Sequence, residues 1–266
     1  MKNRADVELV ARGLAPSREK AQAYIIAGRV YIGEKRVDKA SCPVSPEDDL
    51  SLRGEDLAWA SRGAHKLEKA ITAFHADVAG LVAMDIGAAS GGFTDVLLRH
   101  GARHVYAIDV GYGQLEWRLR QDERVTVMER TNARALTPDM FNIKPTLTVM
   151  DVSFISIKLI LPAAISVMGE EGRFLTLIKP QFEAGRGQVG KNGVVRDAKI
   201  HISVLQDIRD FAASLNWQVR QLTYSPIKGP KGNIEFLADI VKGDQTFITD
   251  GQIVDLVAKA HQELAE

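Results

Sequence analysis

Met84-Asp85-Ile86-Gly87-Ala88-Ala89-Ser90-Gly91-Gly92-Phe93-Thr94 carries three glycines where an apolar run gives way to a helical pattern. Glycines at such a junction permit a tight turn and let backbone amides come close to a bound group. The spacing is not the G-x-G-x-x-G of a nicotinamide fold. The sequence also holds no G-x-x-x-x-G-K-[ST] phosphate loop, which argues against ATP hydrolysis. Asp109 ends the next apolar run, where its carboxylate can accept from ribose hydroxyls. A glycine loop joined to such an acid fits an adenosyl cofactor. We read it as a site for S-adenosylmethionine rather than a plain strand-to-helix turn.

The elements that must position this loop alternate. Leu67, Ile71 and Phe74 fall on one helix face. Leu81–Ile86, His104–Val110, Arg124–Met128, Thr146–Met150 and Phe174–Ile178 read as five strands. Gly91–His100 and Asp197–Leu215 read as helices, and Ile155–Met168 as a helix kinked or broken at Pro162. Five strands alternating with helices imply a mostly parallel sheet covered on both faces. Trp217–Tyr224 and Ile234–Val241 are joined too closely for a parallel crossover, so they should form an antiparallel hairpin. A final helix follows Thr249. The fold class is therefore α/β, a Rossmann-like seven-stranded sheet of the class I methyltransferase type, with ligands expected at the carboxyl ends of the parallel strands.

A smaller α+β module precedes it. Asp6–Arg12 reads as a short helix with Val7, Val10 and Ala11 on one side. Ser17 is a plausible N-cap for a second helix that buries Ala21, Tyr24 and Ile25 and ends at Gly28. Arg29–Ile32, a turn at Gly33-Glu34-Lys35, and Arg36-Val37 form a hairpin, and Glu47–Ser61 looks like a connection. Trp59 in that connection either packs one domain on the other or covers an apolar patch. The expected domains are 1–58 and 59–266.

The chain of 266 residues has 34 basic and 34 acidic side chains, so it is formally neutral, and 45% of it is hydrophobic. That composition excludes disorder as the main state. Cys42 is the only cysteine, which excludes a disulfide scaffold and a structural zinc cluster. His75, His100, His104, His201 and His261 show no metal spacing, so no metal is expected. His65 could touch substrate or simply be solvated. No signal peptide or spanning segment is read, which makes the cytoplasm the expected compartment. The neutrality is uneven. Residues 1–41 carry nine basic side chains against five acidic ones, and residues 42–58 reverse the balance. A basic block at one end suits a polyanion, although on charge alone a solvated surface is the favoured reading.

Residues 3–52 resemble the small RNA-binding domain named after a small-subunit ribosomal protein, here called S-four-like. The matching residues include Arg4, Asp6, Leu9, Arg12-Gly13-Leu14, Ser17-Arg18-Glu19-Lys20-Ala21, Gly28-Arg29-Val30 and Val37. Arg4, Arg18, Lys20 and Arg29 are its candidate RNA-binding residues. The larger module resembles the FtsJ-like ribose methyltransferases and, more narrowly, the TlyA-type family that joins both modules and is also called hemolysin. Further matches are Ser61-Arg62-Gly63-Ala64-His65-Lys66-Leu67, Asp109-Val110-Gly111-Tyr112-Gly113-Gln114-Leu115, Arg130-Thr131-Asn132-Ala133-Arg134, Asp151-Val152-Ser153-Phe154-Ile155-Ser156, Ile178-Lys179-Pro180-Gln181-Phe182-Glu183 and Gly232-Asn233-Ile234-Glu235-Phe236. One departure is Ala89-Ser90, where the family usually shows Ser-Thr, which removes a hydroxyl near the cofactor.

The resemblance implies a catalytic tetrad of Lys66, Asp151, Lys179 and Glu235. It also implies a cofactor set of Asp85, Gly87, Ala88, Ser90, Gly91, Gly92, Phe93, Asp109, Val110, Asn132 and Asp151. The strand reading agrees with the tetrad. Asp151 and Lys179 end strands four and five, and Glu235 begins an antiparallel strand, so all three emerge on one edge. The implied reaction is attack of a ribose 2′-hydroxyl on a methyl sulfonium, in which the protein aligns, desolvates and removes one proton. Lys179 is the candidate base, with Lys66 as the neighbouring cation, Asp151 orienting Lys179, and Glu235 holding Lys66 or the ribose. The expected activity is an S-adenosylmethionine-dependent ribosomal RNA (cytidine-2′-O)-methyltransferase, with ribosomal RNA or ribosomal subunits as partner. The rivals are a non-catalytic RNA-binding or ribosome-assembly protein and a membrane-active hemolysin. The polar Gly185–Gly193 loop could close over RNA or be a surface loop.

Overall fold

The computed structural model describes residues 2–26, 28–53, 59–190, 192–245 and 247–264. Gly54, Glu55, Asp56, Leu57 and Ala58 of the expected connection, and Lys191 of the Gly185–Gly193 loop, lie outside the described residues. The chain divides into two units, Met1–Ala58 and Trp59–Glu266.

The first unit contains β1 (Asn3–Arg4), α1 (Ala5–Ala11), α2 (Arg18–Ile26), β2 (Val30–Ile32), β3 (Lys35–Arg36), β4 (Pro43–Val44) and β5 (Leu50–Leu52). Ser17 Oγ accepts from Lys20 N at 3.2 Å at the start of α2, and Ala21, Tyr24 and Ile25 are buried. The face of α1 differs from the expectation. Ala5 and Leu9 are buried with Asp6 and Glu8, whereas Val7 is 36% exposed and Ala11 faces solvent. Arginine, asparagine and glutamine partners let the two carboxylates go inside. The expected hairpin is part of a three-stranded sheet in the order β3-β2-β5. Ile32 pairs with Lys35, so the turn is Gly33-Glu34 alone. Leu50–Leu52, read as connection because acids surround it, pairs antiparallel with β2 and brings Leu50 and Leu52 to the small core.

The second unit contains α3 (Ala64–Ala73), β6 (Val82–Ile86), α4 (Gly92–Arg99), β7 (His104–Ile108), α5 (Trp117–Arg120), β8 (Val125–Met128), β9 (Leu147–Met150), α6 (Leu161–Met168), β10 (Arg173–Ile178), α7 (Pro180–Glu183), α8 (Ala198–Ser214), β11 (Trp217–Tyr224), β12 (Phe236–Lys242) and α9 (Asp250–Glu263). Every residue of β6 and β9 is buried, as a strand covered on both faces requires. The sheet order is β11-β12-β10-β9-β6-β7-β8. β6 to β10 run parallel, and β12 is antiparallel to both β10 and β11. The expected seven-stranded α/β sheet with an antiparallel ending is thus present.

Pro162 does not kink a long helix. It sits in the first turn of α6, after a separate 3-10 turn at Ile157–Leu159, where its missing N–H removes no helical bond. Trp59 packs against this unit's own core with the Arg99 guanidinium 4.3 Å from its ring centre, so it covers an apolar patch. Among the described residues no helix is long and apolar enough to cross a membrane, and no group of His, Cys, Asp and Glu is arranged to hold a metal.

Candidate active site

Strand ends on one edge of the sheet gather four charged side chains. β9, β10 and β12 carry Asp151, Lys179 and Glu235 at or beside their ends, with β10 lying between the other two. Because β12 is antiparallel and Ile178 pairs with Phe236, the residues just beyond that pair, Lys179 and Glu235, leave the sheet at the same edge. The first turn of α3 supplies Lys66. Lys66 Nζ lies 2.7 Å from Glu235 Oε2 and 3.4 Å from Asp151 Oδ2, and Lys179 Nζ lies 2.5 Å from Asp151 Oδ1. Asp151 therefore sits between two lysines, and two cations meet two anions within one cluster. Side-chain exposure is 8% for Lys66, 9% for Lys179 and 1% for Glu235, so these charges are largely desolvated.

All four line a cavity of about 560 Å³ whose wall includes Gly87, Ala88, Gly92 and Phe93. A second cavity of about 330 Å³ is lined by Asp109, Val110 and Asn132, with Ile108, Ala133 and Ile155 as apolar wall. Gly87, Asp151 and Phe154 belong to both. Gly87 has φ +85°, and a Cβ there would stand 2.8 Å from the Asp151 carbonyl oxygen. Gly91 stands at φ +94°. A Cβ on it would meet Leu119 at 2.3 Å and Leu115 at 2.8 Å. Asp85, Ser90 and Gly91 line neither cavity.

Asp85 is buried beneath the loop, accepting from Thr94 Oγ1 at 2.7 Å on Oδ2, with Oδ1 lacking a partner among the described residues. Burial pushes its carboxyl up to about 7. Asp109 accepts from Ala89 N at 2.8 Å and from Gly111 N at 2.7 Å, so it also shapes the two loops around it. Ala89 stands at φ +47°.

In the first unit, the basic candidates form two groups. Arg4 and Arg18 bind the Asp6 carboxylate at 2.9 and 3.1 Å. Lys20 and Arg29 lie 5.8 and 4.9 Å from the centre of the Tyr24 ring. Arg12, part of the basic excess, is turned to the backbone, donating to the Ser45 and Asp48 carbonyls. His65 is exposed and lines neither cavity of the second unit.

Several site residues were missed in the sequence. Lys179 Nζ donates to Ser153 Oγ at 3.0 Å, and Gln181 Nε2 to Glu235 Oε1 at 3.2 Å. Glu183 accepts from Ser156 Oγ at 2.5 Å and Ile157 N at 2.8 Å, tying α7 to the segment after β9, and burial pushes its carboxyl up. Phe154 is 90% exposed at φ +65°, its ring centre 5.1 Å from that of Phe182. The signal for Ser153 and Gln181 is their spacing, two residues beyond Asp151 and Lys179 and three beyond a strand end. Nothing in the spacing marks Phe154 as exposed.

Comparison with known proteins follows this division. Residues 59–240 match the FtsJ-like methyltransferase model and residues 4–50 match the S4 domain. YqxC of Bacillus subtilis, described as a candidate rRNA methyltransferase, is 46% identical over the whole of this chain and 96% of its own length. The 16S/23S rRNA (cytidine-2′-O)-methyltransferase TlyA of Mycobacterium tuberculosis is 47% identical, covering 88% of this chain and 87% of its own. The solved structure of a Streptococcus thermophilus protein, described as a candidate hemolysin, superposes with a TM-score of 0.75 at 45% identity. It covers 98% of this chain and 96% of its own.

Proposed function

The chain belongs to the FtsJ-like methyltransferase family, and on that premise we propose that it is an S-adenosylmethionine-dependent ribose 2′-O-methyltransferase acting on cytidine in ribosomal RNA. The observation that carries the reading is the Lys66–Asp151–Lys179–Glu235 cluster in a cavity continuous with the glycine loop. The cytidine and the ribosomal RNA come from the M. tuberculosis relative's activity. The S4 match and the basic excess of residues 1–41 support RNA as the substrate.

The residues present fit the cofactor. Gly87 leaves open a space that a Cβ would close against Asp151, and Asp109, Val110 and Asn132 border a cavity with apolar walls suited to an adenine. When bound, the cofactor supplies a methyl group already activated on a sulfonium. The chain's own residues do the rest. Lys179 Nζ is placed to take the proton of the 2′-hydroxyl. Asp151 and Ser153 fix where that nitrogen points. Lys66, held by Glu235, keeps a positive charge beside Asp151. Placing these groups without water and in fixed geometry is the larger part of the acceleration. The exposed ring of Phe154, bordering both cavities, offers a face on which a base drawn out of its stack can lie.

The test is transfer of a labelled methyl group from S-adenosylmethionine to purified 30S and 50S subunits, followed by nucleoside mass spectrometry. The wild type should yield 2′-O-methylcytidine. Lys179→Ala should abolish transfer while calorimetric cofactor affinity stays near that of the parent. Undiminished transfer by Lys179→Ala would remove Lys179 from the chemistry, and absence of methylcytidine with the wild type would reject the reading.

A further inference from the structure

α1 buries two carboxylates, and they do different things. Glu8 holds Asn3 and Arg12, and Arg12 reaches on to the Ser45 and Asp48 carbonyls, so this group ties α1 to the segment before β5. Asp6 is closed to solvent, yet the side chains of its two arginines are not, with Arg4 48% and Arg18 59% exposed. Arg4 Nε meets Asp6 Oδ1 at 2.9 Å and Arg4 Nη2 meets Oδ2 at 3.1 Å. Arg18 Nη2 meets that same Oδ2 at 3.1 Å, and Gln22 Nε2 meets it at 2.9 Å. The two guanidiniums therefore converge on one oxygen and are neighbours.

The hydrogen bond from Arg4 leads the causes that hold the Asp6 carboxyl well below the usual carboxylate range. A guanidinium has five donors, so the side of each arginine turned away from Asp6 still presents N–H groups. A free surface arginine loses much rotamer freedom when it grips a phosphate, and here that freedom is removed on folding.

We propose that Asp6 is a positioning residue for RNA, holding Arg4 and Arg18 side by side as a preformed clamp for a backbone phosphodiester. The proposal rests on the reading of this unit as RNA-binding. Its sign is unusual. By charge alone, a carboxylate beside two arginines repels a polyanion, and removing it should tighten binding. By position, removing it should weaken binding.

The experiment measures binding of the full chain to purified 30S and 50S subunits across a salt series. The variants are Asp6→Asn, the pair Arg4→Ala/Arg18→Ala, and all three changes together. Arg4→Ala/Arg18→Ala should weaken binding and flatten the salt dependence, since fewer counterions are released. Asp6→Asn should weaken binding about tenfold, the loss expected when two long side chains must be ordered on contact, with the salt slope kept. Added to the arginine pair, Asp6→Asn should cost nothing further, an outcome that a merely structural role does not give.

Circular dichroism of each variant at the assay temperature reports its fold. If Asp6→Asn does not fold, Gln22→Ala removes a donor to the same oxygen without changing charge, and it should weaken binding. Equal or tighter binding by Asp6→Asn, an equal further loss in the triple variant, or unchanged binding by Gln22→Ala where that variant decides, overturns the clamp. Unchanged binding by the arginine pair overturns the RNA-binding reading of these residues itself.

Discussion

Replacing Lys66 by methionine separates what the buried ion pair does for the fold from what it does for the chemistry. Methionine keeps an unbranched chain of similar reach and removes the charge. Glu235, 1% exposed, then loses the ammonium that stood 2.7 Å away and keeps Gln181 Nε2 at 3.2 Å. Breaking a buried pair from one side costs about 3–5 kcal/mol, because the charge left behind is uncompensated. In a domain of this size 1 kcal/mol moves the melting temperature by about 2–4 °C, so Lys66→Met should melt roughly 6–20 °C lower. Lys66→Met/Glu235→Gln removes that charge too, and exchanging a buried pair for neutral groups of similar volume is often close to neutral. The double variant should therefore recover most of the lost melting temperature. Methyl transfer should remain lost in both. Thermal melts without cofactor, and single-turnover transfer at saturating subunits, read the two effects separately. A single variant melting within about 2 °C of the parent, or a double variant regaining transfer, would refute the reasoning.

Two further perturbations test the interior. Burial pushes Asp85 up to about 7 and His201 down to about 4. The Asp85 contribution to stability is complete below 3.8 and falls as pH rises toward about 7, whereas the His201 contribution is complete above 6.5 and falls as pH drops toward about 4. The slopes oppose each other, so Asp85→Asn should uncover a melting temperature that rises more steeply with pH between about 4 and 6.5. A calorimetric pH series with the parent's profile would count against it. Gly87→Ala should destabilise more than Gly113→Ala by about 1–3 kcal/mol. Both have positive φ, but only Gly87 would press a Cβ on the Asp151 carbonyl, and Gly113 has nothing within 4 Å. Equal denaturation midpoints for the two would show that the contact yields freely.

The sheet was legible because its central strands are buried on both faces. Val82–Ile86 and Leu147–Met150 are continuous apolar runs with one polar residue each, and such runs between glycine turns have few other homes. The hairpin was legible from the shortness of the connection before Ile234. Asp151, Lys179 and Glu235 are singled out by the family resemblance, and strand direction agrees with it, since residues at those three strand ends emerge on one edge of the sheet. The small unit was harder. Its strands β1, β3 and β4 have two residues each, too short to show alternation. The buried face of α1 differs from the expectation because Asp6 and Glu8 are inside, and apolar spacing cannot show that Arg18 and Gln22 of α2 and Asn3 of β1 meet them there. The close approach of Leu115 and Leu119 to Gly91 is not legible either, because those leucines are distant in sequence.

β12 is the last strand in the chain but lies between β10 and β11 in the sheet. During synthesis, β10 can join β9 long before its other neighbour exists. Until then β10 is an open edge with unpaired amides and carbonyls, the kind of edge that recruits other chains. The same strand insertion that closes this edge delivers Glu235 to Lys66. A chain cut short before residue 235 therefore lacks both the cover and the fourth charged group. Completion of the four-residue cluster therefore coincides with the disappearance of the edge, and one long-range pairing brings about both.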